Sequence, residues 1–559
     1  MQALRDFLDR LPETRRPLPW LALLCLLLWL PGFFTLPAGD RDESRFAQAS
    51  RQMVESGDYV RIRFGEVERN KKPAGIHWAQ ATAVHVVEGL RLGTRADIWA
   101  YRIPSLLGAL LAVLATAHFG RSLVGRRAAF LGAAMLAGCF VLGVETHIAK
   151  TDAALLGTIV VAMGLMGRAY LAPGQFTAKQ AAGFWLVLGG AVLLKGPIGP
   201  AVPLLAGVTL FAADRGWQGG APWLRALRPG WGIPLLVLAA APWFIAVTIA
   251  TEGRFLAEAL GGDMLSKVGG ADENHWGPPG YYFLSFGVAA FPAAFLVLRA
   301  APGAWMDRLQ PATRFLFAWA VPVWLMFEAV TTKLPHYAMP AYPALMLLAA
   351  AWALDPLRRQ PPRWLSLFSL VVAIAVAFGL AAVAVALPVL ADGRISLVAL
   401  LALPAAALFS AGVFLMLRDG APARAALLAV LLAVPLQAVV LGGVLPRMTA
   451  PWISPRLAAL VNQAAPGLPD ERFGIAGYHE PSLMFALGSE IRLLRGGEEA
   501  ARFLAGEPGR LAAVSDREEA RFRTEAASLG LALRERGTVA GFNYSRGRRV
   551  AIVLYGVGG

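Results

Sequence analysis

Charged residues are scarce in this sequence. Asp, Glu, Lys and Arg make up 16% of its 559 residues, whereas ordinary soluble domains carry about 25%. Apolar side chains reach 57%, and the mean hydropathy is +0.54. A positive mean hydropathy over this length indicates many membrane spans rather than one unusually large core. The composition therefore argues against a soluble globular protein.

Cysteine is also rare, since the chain contains only Cys25 and Cys139. Both lie inside apolar runs, so we expect two small buried side chains and no disulfide. The net charge is +15, but the basic residues form no stripe interleaved with aromatic side chains. They lie in short segments between apolar runs, as membrane orientation requires. Nucleic acid is therefore not an expected partner.

The short motifs of many soluble enzymes are missing as well. The sequence contains no GxxxxGK[ST], GxGxxG, HExxH or GxSxG pattern and no CxxC pair. Each of these patterns marks a nucleotide site, a zinc site, a redox site or a nucleophilic serine. The chemistry of this chain must therefore be sought in other arrangements of polar residues.

Long apolar runs are what the sequence does contain. Thirteen are long enough, or nearly so, to cross about 30 Å of hydrocarbon: 17–36, 98–119, 127–146, 151–172, 179–195, 196–213, 231–251, 279–299, 312–332, 336–355, 363–387, 396–417 and 423–445. The first run continues without a small-residue cleavage site, so we expect a retained helix. Residues 77–92 are too polar to span and have the pattern of an amphipathic helix at the membrane surface.

The Lys and Arg residues concentrate in alternate connections between these runs. The rich segments are 5–16, 121–127, 168–179, 215–228, 299–314, 358–363 and 418–424, whereas the intervening short connections hold only Lys150, Lys195, Lys333 and Arg394. Positively charged connections stay on the cytoplasmic side of a membrane. The N-terminus is therefore predicted to be cytoplasmic and the C-terminus to lie outside.

The composition changes after residue 445. Segments 473–478, 491–496, 511–516, 538–545 and 548–557 are typical of strands, and segments 480–488, 497–506 and 516–529 are typical of helices. This alternation predicts a small α/β domain outside the membrane. The predicted organisation is a transmembrane domain at 1–445 and an external domain at 446–559.

The first outer loop, 37–97, is expected to contain juxtamembrane helices, and its charges crowd into residues 39–78. Other outer segments bring ionisable residues to the same surface: 145–152, Lys195, 251–280 with Asp263, Lys267, Glu273 and His275, and 332–337. Ionisable residues that face one another at span ends indicate a functional site. Lysines nearly match the carboxylates in number, so the expected ligand bears a phosphate and has one end in the bilayer.

Simpler interpretations exist for single residues. Asp152 could merely cap the helix that follows it. Lys195 and Lys333 could extend their ammonium groups to the interface. The Asp-x-Asp form of residues 40–42 can hold a divalent ion beside phosphates. The sequence leaves these alternatives open.

Six motifs occur in order along the chain: Asp42-Glu43-Ser44-Arg45-Phe46, Asn70-Lys71-Lys72-Pro73-Ala74 with Trp78, Thr151-Asp152, Lys195-Gly196-Pro197, Lys333-Leu334-Pro335-His336-Tyr337 with Pro340, and Gly477-Tyr478 with Pro481-Ser482-Leu483. Together they resemble the motifs of the bacterial inner-membrane transferases that move 4-amino-4-deoxy-L-arabinose from a polyprenyl phosphate to lipid A. Those enzymes are relatives of the protein O-mannosyltransferases. The chain departs from their pattern at Phe46, where a Tyr is usual, and at Ala74, which replaces a second Pro.

The resemblance extends over the whole chain. It implies a mainly α, polytopic membrane protein with the GT-C fold, about thirteen spans and an external α/β domain that would be periplasmic. It also implies a glycosyltransferase of the bacterial inner membrane, with a polyprenyl-phosphate-linked sugar as donor and lipid A or another periplasmic glycolipid as acceptor. Transfer of a hexose or hexuronic acid to a glycan or protein is the alternative within this class.

A secondary transporter is a more distant alternative. It would require charges near the bilayer midplane and two related halves. Here the charges lie at the ends of the predicted spans, and the two halves do not resemble each other.

The resemblance also implies roles for single residues. Lys72 and Arg45 would stabilise the charge of the leaving phosphate. Asp42 would face the attacking group, as a general base for a hydroxyl or as an orienting group for a phosphate, with Asp152 as its partner. Substrate binding is expected of Glu43, Arg45, Lys71, Lys195, Lys333, His336, Tyr337 and Tyr478, with Lys195 or Lys333 assisting Lys72. No cofactor and no obligatory metal are expected, because lysines can supply the electrostatics.

Overall fold

A computed structural model describes residues 2–259 and 276–558 of the chain. Its α-helices up to residue 250 are α1 Gln2–Arg10, α2 Pro17–Trp29, α3 Asp42–Ser56, α4 Gly75–Gly89, α5 Ile98–Val124, α6 Arg126–Gly138, α7 Phe140–Thr146, α8 Asp152–Leu171, α9 Ala178–Lys195, α10 Ile198–Ala213, α11 Gly216–Gly219, α12 Pro222–Ala226 and α13 Pro229–Ala250. The later described helices are α14 Arg254–Ala257, α15 Tyr281–Ala289, α16 Ala294–Met306, α17 Pro311–Ala329, α18 Tyr342–Leu354, α19 Arg363–Asp392, α20 Leu397–Leu400, α21 Ala402–Arg418, α22 Pro422–Ala438, α23 Ile453–Ala464, α24 Pro481–Leu487, α25 Gly497–Gly506 and α26 Glu519–Ser528. The strands are β1 Arg63–Phe64, β2 Val67–Glu68, β3 Phe473–Ala476, β4 Arg492–Leu494, β5 Leu511–Ser515, β6 Leu533–Asn543 and β7 Arg548–Val557.

Several helices are long and apolar enough to cross a membrane. Within the described residues they are Ile98–Val124, Asp152–Leu171, Pro229–Ala250, Arg363–Asp392, Leu397–Arg418 and Pro422–Arg447. The pair α6 and α7 is bent by 61° and passes as one further span, and shorter apolar helices occur at Pro17–Trp29, Ile198–Ala213, Ala294–Met306 and Met339–Leu354. The protein is therefore a multi-pass membrane protein, as predicted.

Every one of the predicted apolar runs contains helix, although some helices are shorter than the run. The run at 279–299 is divided between α15 and α16, because residues 290–293 form turns rather than helix. The number of crossings, thirteen by sequence, stays a prediction.

The basic connections predicted to share one side of the membrane lie together. Arg424 pairs with Asp9 at 2.6 Å, which joins α1 to the start of α22. Arg358 donates to the carbonyl of Gly420 at 2.7 Å, which brings the connection after α18 to the same place. The other end of α22 leads into the C-terminal domain, so that domain lies on the opposite side.

The contact between α5 and α8 depends on glycine in both helices. A Cβ on Gly108 would lie 2.3 Å from the Cα of Ala154, and a Cβ on Gly157 would lie 2.6 Å from the Gly108 carbonyl oxygen. Small residues allow two membrane helices to approach this closely. Ser105, one turn earlier on α5, donates to the carbonyl of Ile148 at 2.8 Å. The close helix contact and this hydrogen bond together fix the start of α8 against α5.

The C-terminal region contains a five-stranded sheet with the order β4-β3-β5-β7-β6. Strands β4, β3 and β5 run parallel, whereas β7 pairs antiparallel with both β5 and β6. Helices α23 and α24 cover one face, and α25 and α26 cover the other. All predicted strands and helices of this α/β domain are confirmed, and α23 is an additional helix. The boundary at residue 445 stays a prediction.

The first outer loop contains α3, a short β1–β2 hairpin and α4. Helix α4 confirms the helix predicted at 77–92. Phe485 of α24 packs edge-on against Tyr101 of α5 at 5.4 Å between ring centroids, within a cluster that also contains Ala47 of α3. The external domain therefore rests directly on the first outer loop.

A buried ion pair joins the loop to the membrane helices. Arg102 of α5 is fully buried and donates to both oxygens of Glu43, at 2.8 and 3.1 Å. Glu43 also accepts from the backbone N–H groups of Gly39 at 2.7 Å and Ala149 at 3.0 Å. Arg102 further donates to the carbonyls of Phe33, Leu36 and Pro37. The ends of α2, α3, α5 and α7 therefore meet at this pair.

We expect Arg102→Met to destabilise the protein by about 3–5 kcal/mol, because it leaves the buried Glu43 carboxylate without its counter-ion. Arg95→Met is the matched control: Arg95 pairs with Glu88 at 2.9 Å but is 41% exposed, so its loss should cost at most about 1 kcal/mol. Thermal unfolding in one detergent compares the two variants. Equal midpoints would contradict the assignment.

Candidate active site

Five ionisable side chains meet where α7, α8 and α9 end or begin. This outer charge cluster consists of Glu145, Lys150, Asp152, Lys195 and His336. Lys195 Nζ lies 2.5 Å from Asp152 Oδ1, and Lys150 Nζ lies 3.0 Å from Glu145 Oε1 and 3.7 Å from Asp152 Oδ2. His336 lies between the two carboxylates, 3.4 Å from Glu145 and 3.5 Å from Asp152. Segments far apart in sequence thus form one polar group.

The cluster is balanced in charge. Burial lowers the pKa of Lys150, but Glu145 and Asp152 together raise it above its ordinary value. Burial lowers the pKa of His336 to about 3, although Asp152 opposes this shift. The ammonium groups of Lys150 and Lys195 are paired with the carboxyl groups of Glu145 and Asp152. Buried charges are tolerated when they are paired in this way.

The turn between α9 and α10 places Lys195 at the edge of the cluster. Gly196 has φ of +61°, a conformation that glycine adopts without steric cost. The Lys195 ammonium also lies 5.2 Å from the centre of the Tyr337 ring, which favours a cation–π contact. Lys195 and Tyr337 both line a large cavity. Lys195 therefore connects the buried cluster to that cavity.

The first turn of α3 adds Asp42 and Arg45. Asp42 is exposed, and its charge contributes to the raised pKa of Lys150. Within the described part of the chain, neither the Asp42 nor the Arg45 side chain has a hydrogen bond or an ion pair. Asp42 is consequently available to a ligand beside the cluster, and Arg45 follows it in the first turn of α3.

The cavity beside Lys195 has a volume of about 1410 Å³. Lys71, Lys72 and Lys195 line its outer end, while apolar and aromatic side chains line the rest: Phe184, Trp185, Leu188, Ile198, Leu204, Phe211, Trp223, Leu227, Phe244 and Phe255. It follows α10 from Ile198 to Phe211, about 20 Å at 1.5 Å per residue. The cavity therefore combines a cationic mouth with an apolar interior as long as most of a membrane helix.

Three residues predicted to bind substrate are engaged elsewhere. Glu43 accepts four hydrogen bonds within the protein, which fills the lone-pair capacity of a carboxylate. Lys333 donates to the carbonyls of Glu328 at 2.6 Å and Val330 at 2.8 Å, at the end of α17. The buried Tyr478 hydroxyl lies 3.1 Å from Ser454 inside the external domain. These geometries favour structural roles for Glu43, Lys333 and Tyr478.

The sequence interpretation did not single out Glu145, Lys150 and Arg102 as site residues. Lys150 carried a signal, because it is one of the few basic residues in the outer connections. Glu145 and Arg102 lie in helical segments, where only the fold reveals that they are buried and paired. Asp263, Lys267, Glu273 and His275 of the predicted outer surface lie outside the described residues.

The two carboxylates of the Asp-x-Asp motif point to different partners. The Asp40 carboxylate accepts a hydrogen bond from Ser482 of the external domain, whereas Asp42 lies near Lys150. Across residues 2–259 and 276–558, no three His, Cys, Asp or Glu side chains are arranged to hold a metal ion. The cluster carboxyl groups of Glu145 and Asp152 are instead paired with lysines.

Comparisons with known proteins identify similar sequences and a similar fold. Residues 84–254 match the family model described as dolichyl-phosphate-mannose-protein mannosyltransferase. An undecaprenyl phosphate-alpha-4-amino-4-deoxy-L-arabinose arabinosyl transferase from Aeromonas salmonicida (strain A449) is 28% identical over 350 residues, which are 61% of this chain and 61% of that protein. A protein of the same name from Pectobacterium carotovorum subsp. carotovorum (strain PC1) is 28% identical over 348 residues, 60% of each chain. The chain thus spans less than two thirds of the length of these relatives.

The fold is shared over almost the whole chain. The crystal structure of ArnT from Cupriavidus metallidurans bound to undecaprenyl phosphate matches with a TM-score of 0.74 at 21% identity, covering 97% of this chain and 98% of that chain. An apo oligosaccharyltransferase from Archaeoglobus fulgidus matches with a TM-score of 0.50 at 14% identity, covering 93% and 69%. The predicted resemblance is confirmed, and the chain has the GT-C fold with a small C-terminal sheet domain.

The charge balance of the cluster can be tested by changing it in two steps. Lys150→Met should destabilise the protein by about 3–5 kcal/mol, because one buried carboxylate loses its cation. Adding Glu145→Gln should recover much of this loss, since the cluster is then neutral again. Thermal unfolding midpoints of the two variants in detergent measure the effect. A double variant as unstable as the single one would contradict this account.

Proposed function

We propose that the chain is an integral-membrane glycosyltransferase that moves a sugar from a polyprenyl phosphate to an acceptor on the non-cytoplasmic face of the bacterial inner membrane. One observation carries the proposal: the 1410 Å³ cavity has an apolar interior and a mouth lined by Lys71, Lys72 and Lys195. A polyprenyl phosphate has the matching chemistry, a long apolar chain that ends in an anion. Residues 1–445 would form the catalytic membrane domain and 446–559 a periplasmic domain.

The names of the similar proteins guide the choice of sugar and acceptor. The curated relatives are named for the transfer of 4-amino-4-deoxy-L-arabinose from undecaprenyl phosphate. We therefore propose this sugar, or a related one, as the transferred group and lipid A or another periplasmic glycolipid as the acceptor. The match to a mannosyltransferase family model keeps transfer of a hexose to a glycan or protein as the second candidate.

The transfer step is a displacement at the anomeric carbon of the sugar. A bond forms between the acceptor oxygen and this carbon, and the bond from this carbon to the phosphate oxygen breaks. The polyprenyl phosphate leaves with an additional negative charge. Lys72 and Lys195 at the cavity mouth, with Arg45 of α3, would stabilise that charge as it develops. We assign the assisting role to Lys195 rather than Lys333, because the Lys333 ammonium donates to backbone carbonyls at the end of α17.

Asp42 is the candidate residue facing the acceptor. Its carboxylate is exposed and lies beside the cluster that contains Asp152. For a hydroxyl acceptor, Asp42 would take the proton that leaves as the new bond forms. For a phosphate acceptor no proton needs to be removed, and Asp42 would orient the sugar, for instance through its amino group. Asp152 would act through Lys195, which it holds at 2.5 Å.

We expect Asp42→Asn to lower turnover by at least about 10²-fold, the typical contribution of a positioned general base, with folding unchanged.

Lys195→Met should weaken the binding of a polyprenyl-phosphate donor, because it removes a cation from the cavity mouth. Purified protein in nanodiscs, supplied with labelled polyprenyl-phosphate sugars and with lipid A, glycan or peptide acceptors, measures both.

Lys179→Met is the matched control, since Lys179 is an exposed lysine at the other end of the same helix, α9. It should bind and turn over the donor normally. Near-normal turnover of Asp42→Asn would refute the role of Asp42, and absence of transfer from every donor would refute the proposed function. The same assay with EDTA should retain activity, because no obligatory metal is proposed.

The orientation of the chain has its own test. Val67 lies in the first outer loop, and its side chain is 71% exposed. Leu357 lies in a basic connection, and its side chain is 87% exposed. Each is replaced by cysteine in a separate variant. A membrane-impermeant maleimide should label Val67→Cys in intact spheroplasts and Leu357→Cys only after lysis. The native Cys25 and Cys139 are buried and should not react. The reverse pattern would place the candidate site in the cytosol and end the proposal.

A further inference from the structure

The external domain contacts the backbone immediately before Asp42. The N–H of Asp40 donates to the hydroxyl of Tyr544 at 2.6 Å, and the Asp40 carboxylate accepts a hydrogen bond from Ser482. The guanidinium of Arg41 donates to the carbonyl of Ser545. Three groups of the external domain therefore hold two consecutive residues of the first outer loop.

A chain of hydroxyl groups supports the contact with Asp40. Ser482 lies 2.5 Å from Ser454, and Ser454 lies 3.1 Å from the hydroxyl of Tyr478. Tyr478, Ser454 and Ser482 are all buried. Burial raises the pKa of Asp40 to about 6, although the hydrogen bond from Ser482 opposes the shift. Because Ser482 donates its single hydroxyl hydrogen to Asp40, Ser454 donates to Ser482 and Tyr478 donates to Ser454.

Arg41, which directly precedes Asp42, has a strained backbone. Arg41 has φ of 64° and ψ of −113°, values close to the first central position of a type II′ turn, which glycine normally occupies. A non-glycine residue in such a conformation costs about 1–3 kcal/mol and persists only when its surroundings enforce it. Two sets of contacts enforce it: Gly39 is hydrogen-bonded to Glu43 and Ser44 of α3, and Asp40 and Arg41 are hydrogen-bonded to the external domain.

We propose that Tyr544 and Ser482 of the external domain are positioning residues that hold Arg41 in its strained conformation and thereby set the position of Asp42. This inference rests on the proposed transferase function, in which Asp42 faces the acceptor. It assigns the external domain a part in building the site, because relaxation of Arg41 would rotate the start of α3. A displacement of about 1 Å at a reacting group can cost about 10²-fold in rate.

The first test separates turnover from donor binding. Tyr544→Phe and Ser482→Ala should lower kcat by about 10- to 100-fold. The KM for the donor should stay within about twofold, because the lysines of the cavity mouth are untouched. Tyr555→Phe is the matched control: it removes a hydroxyl of the same domain that donates to Glu519 at 2.8 Å on the sheet face covered by α26. Its kcat should equal that of the unmodified protein.

The second test addresses the strain itself. Arg41→Gly and Arg41→Ala both remove the guanidinium, but only glycine adopts the observed φ freely. Adding Tyr544→Phe should therefore cost about threefold or less in kcat in the Arg41→Gly protein and tenfold or more in the Arg41→Ala protein. Equal losses in the two backgrounds would overturn the proposal.

A readout without substrate separates this inference from the proposed function. Amide hydrogen exchange at residues 40–46 should accelerate at least tenfold in Tyr544→Phe and remain unchanged in Tyr555→Phe, with the sheet amides protected in both. Unchanged exchange at 40–46 in Tyr544→Phe would overturn the inference, whatever the activity. If the unmodified protein transfers no sugar but shows this exchange pattern, the proposed function fails and the positioning contact stands.

Discussion

The Glu43–Arg102 ion pair is the constraint on which the geometry of the outer surface depends. It binds the loop after α2, the start of α3 and the residue Ala149, three positions before Asp152. The segment that carries Asp42 and the segment that carries Asp152 are therefore held by the same buried ion pair. A buried pair of this kind contributes little net stability, because desolvation offsets most of its attraction. Its consequence is that alternative arrangements of these segments leave a charge unpaired, so a single arrangement is selected.

The outer charge cluster and the cavity mouth have different roles. The cluster fixes the ends of helices, whereas the mouth can bind and release a phosphate. The buried carboxyl groups of Glu145 and Asp152 are paired with Lys150 and Lys195, so the cluster presents no unpaired cation that would trap a phosphate permanently. Lys71 at the mouth is exposed and shares the cavity lining with Lys195. A lipid phosphate could therefore enter, be stabilised, and leave again, while the buried cluster keeps the ends of α8 and α9 in place.

Much of the fold was predictable because it follows local patterns. The apolar runs and the alternating strands of residues 473–557 correspond to helices and to β3–β7, since their periodicity is set by the side chains themselves. The site was predictable only as a collection of segments. Lys333 turns back to carbonyls close to it in sequence, whereas the contact of Tyr478 with Ser454 depends on a separate helix of the C-terminal domain. No local pattern indicates such partners, and the burial of Arg102 has the same origin.

The Asp-x-Asp motif shows how the same spacing can serve a different purpose from the one its pattern suggests. Two carboxylates two residues apart could converge on a divalent ion, but Arg41 between them has a positive φ. Asp40 consequently lies against Ser482 of the external domain, and Asp42 lies near Lys150 at the membrane domain. A departure from local backbone preference is expected where function requires it. In this chain the unusual backbone of Arg41 lies between the external-domain contacts of Asp40 and the first residue of α3, Asp42. The two domains together therefore determine the position of the Asp42 carboxylate.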